Sequence, residues 1–170
     1  MVTLLVVDYD EIDGVKIKDI EDLTEREAAR QRILKRLQSE TEYTPTMIVD
    51  SGNGYHAYYV LDMAVNVREA AEAIKRKSKW MVDRYADCPG DPAMLKISQP
   101  IRLPGTLNVK NPNAPRPCQV VEYHPERLYA FADIPEAEAK GVPKRRALQV
   151  VKSPKVRQSK YPVWECAFLR

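Results

Sequence analysis

Two glycines inside one four-residue turn constrain this chain more than any other feature. Residues Thr46 to Asp50, entered through Pro45, form one short apolar run, and Tyr55 to Leu61 form another. Between them, Ser51-Gly52-Asn53-Gly54 reads as a tight turn, so the two runs predict a β-hairpin. A hairpin pairs its strands antiparallel, so a sheet built around it is antiparallel or mixed.

The other elements arrange themselves around that hairpin. Thr3 to Asp8 is a continuous apolar run that ends in acids, the pattern of a buried strand delivering polar residues at its C-terminal end. Glu11 to Asp22 is charged and reads as a loop. A helix is expected from Thr24, with Glu27 completing a Thr-x-x-Glu capping box and Ala29, Ile33 and Leu37 on one face. A second helix is expected from about Val67 to Tyr85, capped by Asn66, with Ala70, Ile74, Met81 and Tyr85 inward. Residues 91–110 are dense in Pro and Gly and read as irregular, and Gln119 to Tyr123 as a further strand. The order predicts an α+β domain over residues 1–135, with helices packed on a mixed or antiparallel sheet. Residues 136–170 read as a basic linker or tail.

Composition removes several function classes. No apolar run approaches the ~20 residues needed to span a bilayer. The opening MVTLLVVDYD turns acidic too early for a signal peptide, so a cytoplasmic protein is expected. Cys88, Cys118 and Cys166 show no CxxC pair, which points to reduced thiols rather than a zinc site or a disulfide framework. The net charge of +3 hides an asymmetry. From Gly141 to Arg170 there are eight Lys/Arg against one acid, Glu165, a local +7; the remaining residues carry 19 bases and 23 acids, or −4. A basic tail on a weakly acidic body suits a nearby polyanion, although basic linkers between domains look the same.

Three segments could carry chemistry. Asp8 and Asp10 alternate at a strand end, which would project both carboxylates to one side, as hard divalent cations require. Alone this is a weak motif, since Glu11 and Asp13 extend the acidic run into what could be a solvated turn. In SGNGYHAYY, residues 51–59, the glycines permit close approach of backbone to a ligand, and His56 follows where its ring could donate to a phosphate oxygen. In residues 90–110, Asp91 is a third acidic candidate, and Lys96, Arg102 and Lys110 bring positive charge suited to a polyphosphate or a template strand. Tyr55, Tyr58, Tyr59 and Trp80 are expected to pack rather than stack on bases.

With the three segments in order, the chain resembles the archaeo-eukaryotic primase superfamily, in particular the primase–polymerase domains of phages, plasmids and other mobile elements. The matching motifs are Asp8-Tyr9-Asp10, then Ser51-Gly52-Asn53-Gly54-Tyr55-His56, then Asp91 with Arg102-Leu103-Pro104-Gly105-Thr106-Leu107-Asn108-Val109-Lys110. The resemblance covers about residues 3–125 and implies an RRM-like primase core. It further implies that Asp8, Asp10 and Asp91 hold two Mg²⁺ or Mn²⁺ ions, and that Ser51, Gly52, Asn53, His56, Arg102 and Lys110 contact the nucleotide. The implied partners are a (d)NTP, a single-stranded template or primer-template, and a helicase domain or protein. Family members usually carry an α/β module before the first motif, and KYPVWECAFLR resembles the start of a helical domain that follows such cores, so an excised or minimal core is expected. Two other readings stand beside this one: a non-catalytic replication-initiator or nucleic-acid-binding module, and a metal-dependent nuclease.

Overall fold

The computed structural model describes residues 1–138, in which the main elements follow as β-α-β-β-α-β. Strand β1 (Val2–Tyr9) leads into a small hairpin of β2 (Glu11–Ile12) and β3 (Val15–Lys16), then α1 (Leu23–Gln38). The pair β4 (Met47–Asp50) and β5 (Tyr55–Val65) is followed by α2 (Val67–Val82), a second small hairpin of β6 (Leu107–Asn108) and β7 (Arg116–Pro117), and β8 (Gln119–Tyr123). Four strands form one antiparallel sheet in the order β1-β5-β4-β8. The domain is therefore α+β, and the expected hairpin lies at the centre of its sheet.

The sheet has two unlike faces because alternate residues point opposite ways. From β1, Leu5, Val7 and Tyr9 join Tyr55, Ala57, Tyr59 and Leu61 of β5 in the main core. Ala29, Ile33 and Leu37 of α1 and Ile74 and Met81 of α2 close over them. Burying each such Ile or Leu contributes about 1.5–3 kcal/mol, and this core holds both helices on one side. The opposite face carries a smaller cluster of Val49, Tyr58 and Cys118, against which Val6, Met47 and Ile101 pack. From the chain after α2, Ile101 supplies the contact to this cluster, whereas Met94 and Leu95 pack on the main core. The three hairpin tyrosines are buried and Trp80 is partly buried against the core, as expected.

Several boundaries differ from the sequence expectation. Helix α1 starts one residue before Thr24, because Asp22 caps it by accepting a hydrogen bond from the Glu25 amide at 2.8 Å. Aspartate is as good a cap as threonine. The charged stretch after Asp10 is not a plain loop: Asp13 and Gly14 both take positive φ, 50° and 79°, the two-residue turn that joins β2 to β3. Its Ile12 and Ile17 are buried. Helix α2 ends at Val82, although Tyr85 is buried beyond it. Strand β1 lies at the sheet edge, with Leu4 exposed on the second face. The irregular segment contains a short 3₁₀ helix, Pro92–Leu95, as well as β6. Glu136 and Ala137 stay tied to α2, through a 2.5 Å pair with Arg76 Nε and through the Arg76 carbonyl respectively. The basic tail from residue 139, with Cys166, lies outside the described residues. Cys88 and Cys118 are buried free thiols.

Gly90 fastens the segment after α2 to the core. Its amide donates to the Val82 carbonyl at 2.8 Å, and a Cβ here would sit 2.3 Å from Val7 Cγ1. Gly90→Ala is expected to destabilise the fold by about 1–3 kcal/mol, the usual cost of overpacking, measured as a drop in melting temperature.

Candidate active site

On the face turned away from the helices, Asp8 of β1 stands directly opposite His56 of β5. His56 Nε2 lies 3.6 Å from Asp8 Oδ2, beyond hydrogen-bond range. His56 is buried at 2% exposure, yet among the described residues its Nδ1 has no hydrogen-bond partner, and neither does Asp8 Oδ1. The Tyr58 hydroxyl, two residues along the same face, is likewise unpaired. Burial, then Cys118 and Asp8, pushes that phenol up to about 12. Leaving a buried polar atom unpaired costs about 1–3 kcal/mol. All three lie on the same face of the sheet, which leaves unmet hydrogen-bonding capacity there.

Asp91 reaches this patch through its own backbone. Its amide donates to the Asp8 carbonyl at 2.7 Å, so the segment after α2 is clipped to the end of β1. Asp8, His56 and Asp91 then line one cavity of about 360 Å³ together with Arg102, Lys110 and Gln99. Five of the sequence-predicted residues thus converge, from four parts of the chain.

Asp10 lies next door. Strand β1 ends at Tyr9, so strand alternation does not carry the Asp10 side chain into the same cavity as Asp8. The Asp10 carbonyl instead accepts from the Ile17 amide at 2.8 Å. Its side chain lines an adjoining cavity of about 170 Å³ with Lys16 and with Asp91, which borders both. Burial raises the Asp10 carboxyl, and the charges of Asp8 and Asp91 raise it further, against the opposing pull of Lys16 and Lys110.

The glycine turn is held by contacts that the sequence left hidden. The Ser51 hydroxyl is buried and closes its own turn against the Gly54 carbonyl at 3.1 Å. Asn108, also buried, donates to the Ser51 carbonyl at 2.8 Å, and Arg116 donates to the Gly52 carbonyl at 3.1 Å. The Gly52 amide donates to Asp50, whose other oxygen pairs with buried Arg30 of α1 at 2.5 Å. A Cβ on Gly54 would fall 2.2 Å from the Tyr9 carbonyl, so only glycine lets the turn cross the end of β1. Ser51 and Gly52 do not line the Asp8–His56 cavity, and Asn53 faces a separate one. The turn therefore positions rather than lines that site. Of the residues the sequence reading passed over, Arg30 and Arg116 matter most; nothing in their local sequence signals their contacts to Asp50 and Gly52.

The donor set suits a hard divalent cation. Asp8 Oδ1 is unpaired among the described residues, and the charges of Asp8 and Asp91 that raise Asp10 would be partly offset by a bound divalent cation. Among the described residues no three His, Cys, Asp or Glu side chains are already arranged around one point, so the fit rests on those two observations. No described helix is long and apolar enough to cross a membrane. Compared with known proteins, the chain matches no family model, no curated protein and no solved structure at a significant level.

A carboxyl whose value is raised in the fold binds its proton more tightly there than in the unfolded chain. Its stabilising contribution is complete below the ordinary value of 3.8 and is lost as pH rises through the raised one. Without metal, Asp10→Asn is expected to stabilise the protein at pH 7 by about 0.5–1 kcal/mol. Thermal melts in chelator should show the gain shrinking as pH falls through the raised value and gone below about pH 3.8, where Asp10 is neutral in both folded and unfolded chains.

Proposed function

We propose that the chain is a metal-dependent nucleotidyltransferase, built to bring carboxylates and cations around a triphosphate. Within that class we infer the catalytic core of a DNA primase–polymerase of the phage, plasmid or mobile-element type. The observation that carries this reading is the pairing of Asp8 with His56 in one cavity walled by Asp91, Arg102 and Lys110. Carboxylates for metal and donors for phosphate then share a wall, which phosphoryl transfer requires.

Asp8 and Asp91, with Asp10 from the adjoining cavity, would hold the metal. Two Mg²⁺ or Mn²⁺ ions, when bound, neutralise the triphosphate and make the primer 3′-hydroxyl a better nucleophile. His56 is fixed by burial and offers a ring nitrogen to a phosphate oxygen. Arg102 and Lys110, which form no ion pair among the described residues, balance the charge that builds as pyrophosphate leaves. Ser51, Gly52 and Asn108 keep the turn in shape beneath His56. The template or primer-template is the macromolecular partner, the basic tail adds salt-dependent affinity for it, and a helicase would act alongside.

Extension of a labelled primer–template with dNTPs and Mn²⁺ tests the reading. Wild-type protein is expected to lengthen the primer. Asp8→Ala/Asp10→Ala should lose more than the ~10–100-fold typical of outer-shell changes at metal sites while keeping its circular-dichroism spectrum. Shortened DNA would instead indicate a nuclease. DNA binding without metal-dependent dATP binding in calorimetry would indicate an initiator module.

A further inference from the structure

A second cavity, of about 350 Å³, opens on the other side of Lys110. Its wall brings together four cations from separate parts of the chain: Lys18 from the 3₁₀ turn before α1, Arg26 from α1, and Lys110 and Arg116 from the β6–β7 hairpin. No carboxylate among the described residues lines it. Among the described residues none of these four forms an ion pair, whereas Arg30, Arg32, Arg36 and Arg84 elsewhere on the body all do. Glu27, which lies near enough to interact with Arg116, is already engaged by Arg30 and Gln31. Arg26 is held in place by donating to the Ile20 carbonyl, and Arg116 by donating to Gly52, so two of the cations are preorganised. Asn53 adds an amide to the same wall.

We propose that this cavity is a subsite for the phosphodiester backbone of a single-stranded nucleic acid, continuing the strand's path past the Asp8–His56 cavity. The assignment deepens the nucleotidyltransferase reading and rests on it for the strand's destination. Charge decides between ligand classes. A triphosphate poised for transfer brings several charges and sits with metal, but among the described residues no carboxylate lines this cavity to hold one. A phosphodiester carries one charge per nucleotide and is matched by a single Lys or Arg, without metal. Lys110 lines both cavities, so consecutive phosphates of one strand can run from one to the other, which a free anion cannot do.

The test uses the full chain, a fluorescent single-stranded oligonucleotide and anisotropy in EDTA, so that neither metal nor catalysis enters. Lys18 is the residue to change, because its ammonium holds no partner among the described residues. Lys35→Glu, in the last turn of α1 and outside the cavities described, gives the same change in net charge at a remote position. Lys18→Glu is expected to weaken binding at least about five-fold at 0.1 M salt and to lower the slope of log K against log salt by about 0.7, the values for one lost single-strand phosphate contact. Lys35→Glu should leave both near wild type, and equal melting temperatures show that neither variant is misfolded. Equal losses in the two variants, or no binding by wild type, overturn the proposal. So does a loss of dATP–Mn²⁺ affinity in Lys18→Glu with oligonucleotide binding unchanged, since the cavity would then take the triphosphate. Oligonucleotide binding that depends on Lys18 in a protein that cannot extend primers would retain the subsite and reject the polymerase reading. Primer extension with Lys18-independent binding would do the reverse.

Discussion

The register between β1 and β5 is the constraint on which the candidate site depends. It sets Asp8 opposite His56, and at the same time sends Leu5, Val7 and Tyr9 together with Ala57 and Tyr59 into the helix-covered core. Because side chains alternate along a strand, a slip of one residue would turn Asp8 toward the helices and expose Val7. The hydrophobic core and the polar site therefore enforce each other's position. Burial of the tyrosines fixes the register, and the register leaves Asp8 Oδ1, His56 Nδ1 and the Tyr58 hydroxyl unpaired on the far face.

A second layer of constraint comes from glycines where backbones touch. Gly54 lets the turn cross the carbonyl of Tyr9, and Gly90 lets the segment after α2 close on Val7. The Asp91 amide then bonds to the Asp8 carbonyl, joining the first and third acidic candidates through the backbone rather than through their side chains. This arrangement keeps like-charged carboxylates close without a covalent or ionic link between them. The cost falls on Asp10, whose carboxyl is raised by burial and by both neighbours.

Cations are distributed in two ways. Some on the helical side are held in pairs, such as Arg30 with Asp50 and Arg84 with Glu40. Those around the two cavities, Arg102, Lys110, Arg116, Arg26 and Lys18, have no acidic partner among the described residues. Paired charges hold elements together, whereas unpaired ones leave a field at the surface that an incoming polyanion can use. A body with a net negative count thus presents a positive stretch where the proposed chemistry lies.

Much of the fold was readable from sequence because its signals are local. The hairpin around residues 51–54, the apolar faces of both helices, the Asn66 cap and the strand at 119–123 each follow from spacing within a few residues. The Asp22 cap and the β2–β3 hairpin were equally local but were masked by competing signals, a Thr-x-x-Glu pattern and a run of charges. Five of the residues that line the candidate cavity, Asp8, His56, Asp91, Arg102 and Lys110, were also singled out by residue type and order. How the candidate residues divide was not legible. Asp8, His56 and Asp91 meet because β1, β5 and the chain after α2 are brought together by long-range hydrogen bonds. Ser51 turns inward and Asn53 faces another cavity because Asn108 and Arg116, more than 50 residues away, grip the turn. Sequence sets which chemical groups are available; which of them share a cavity depends on pairing across the sheet, and no local pattern encodes it.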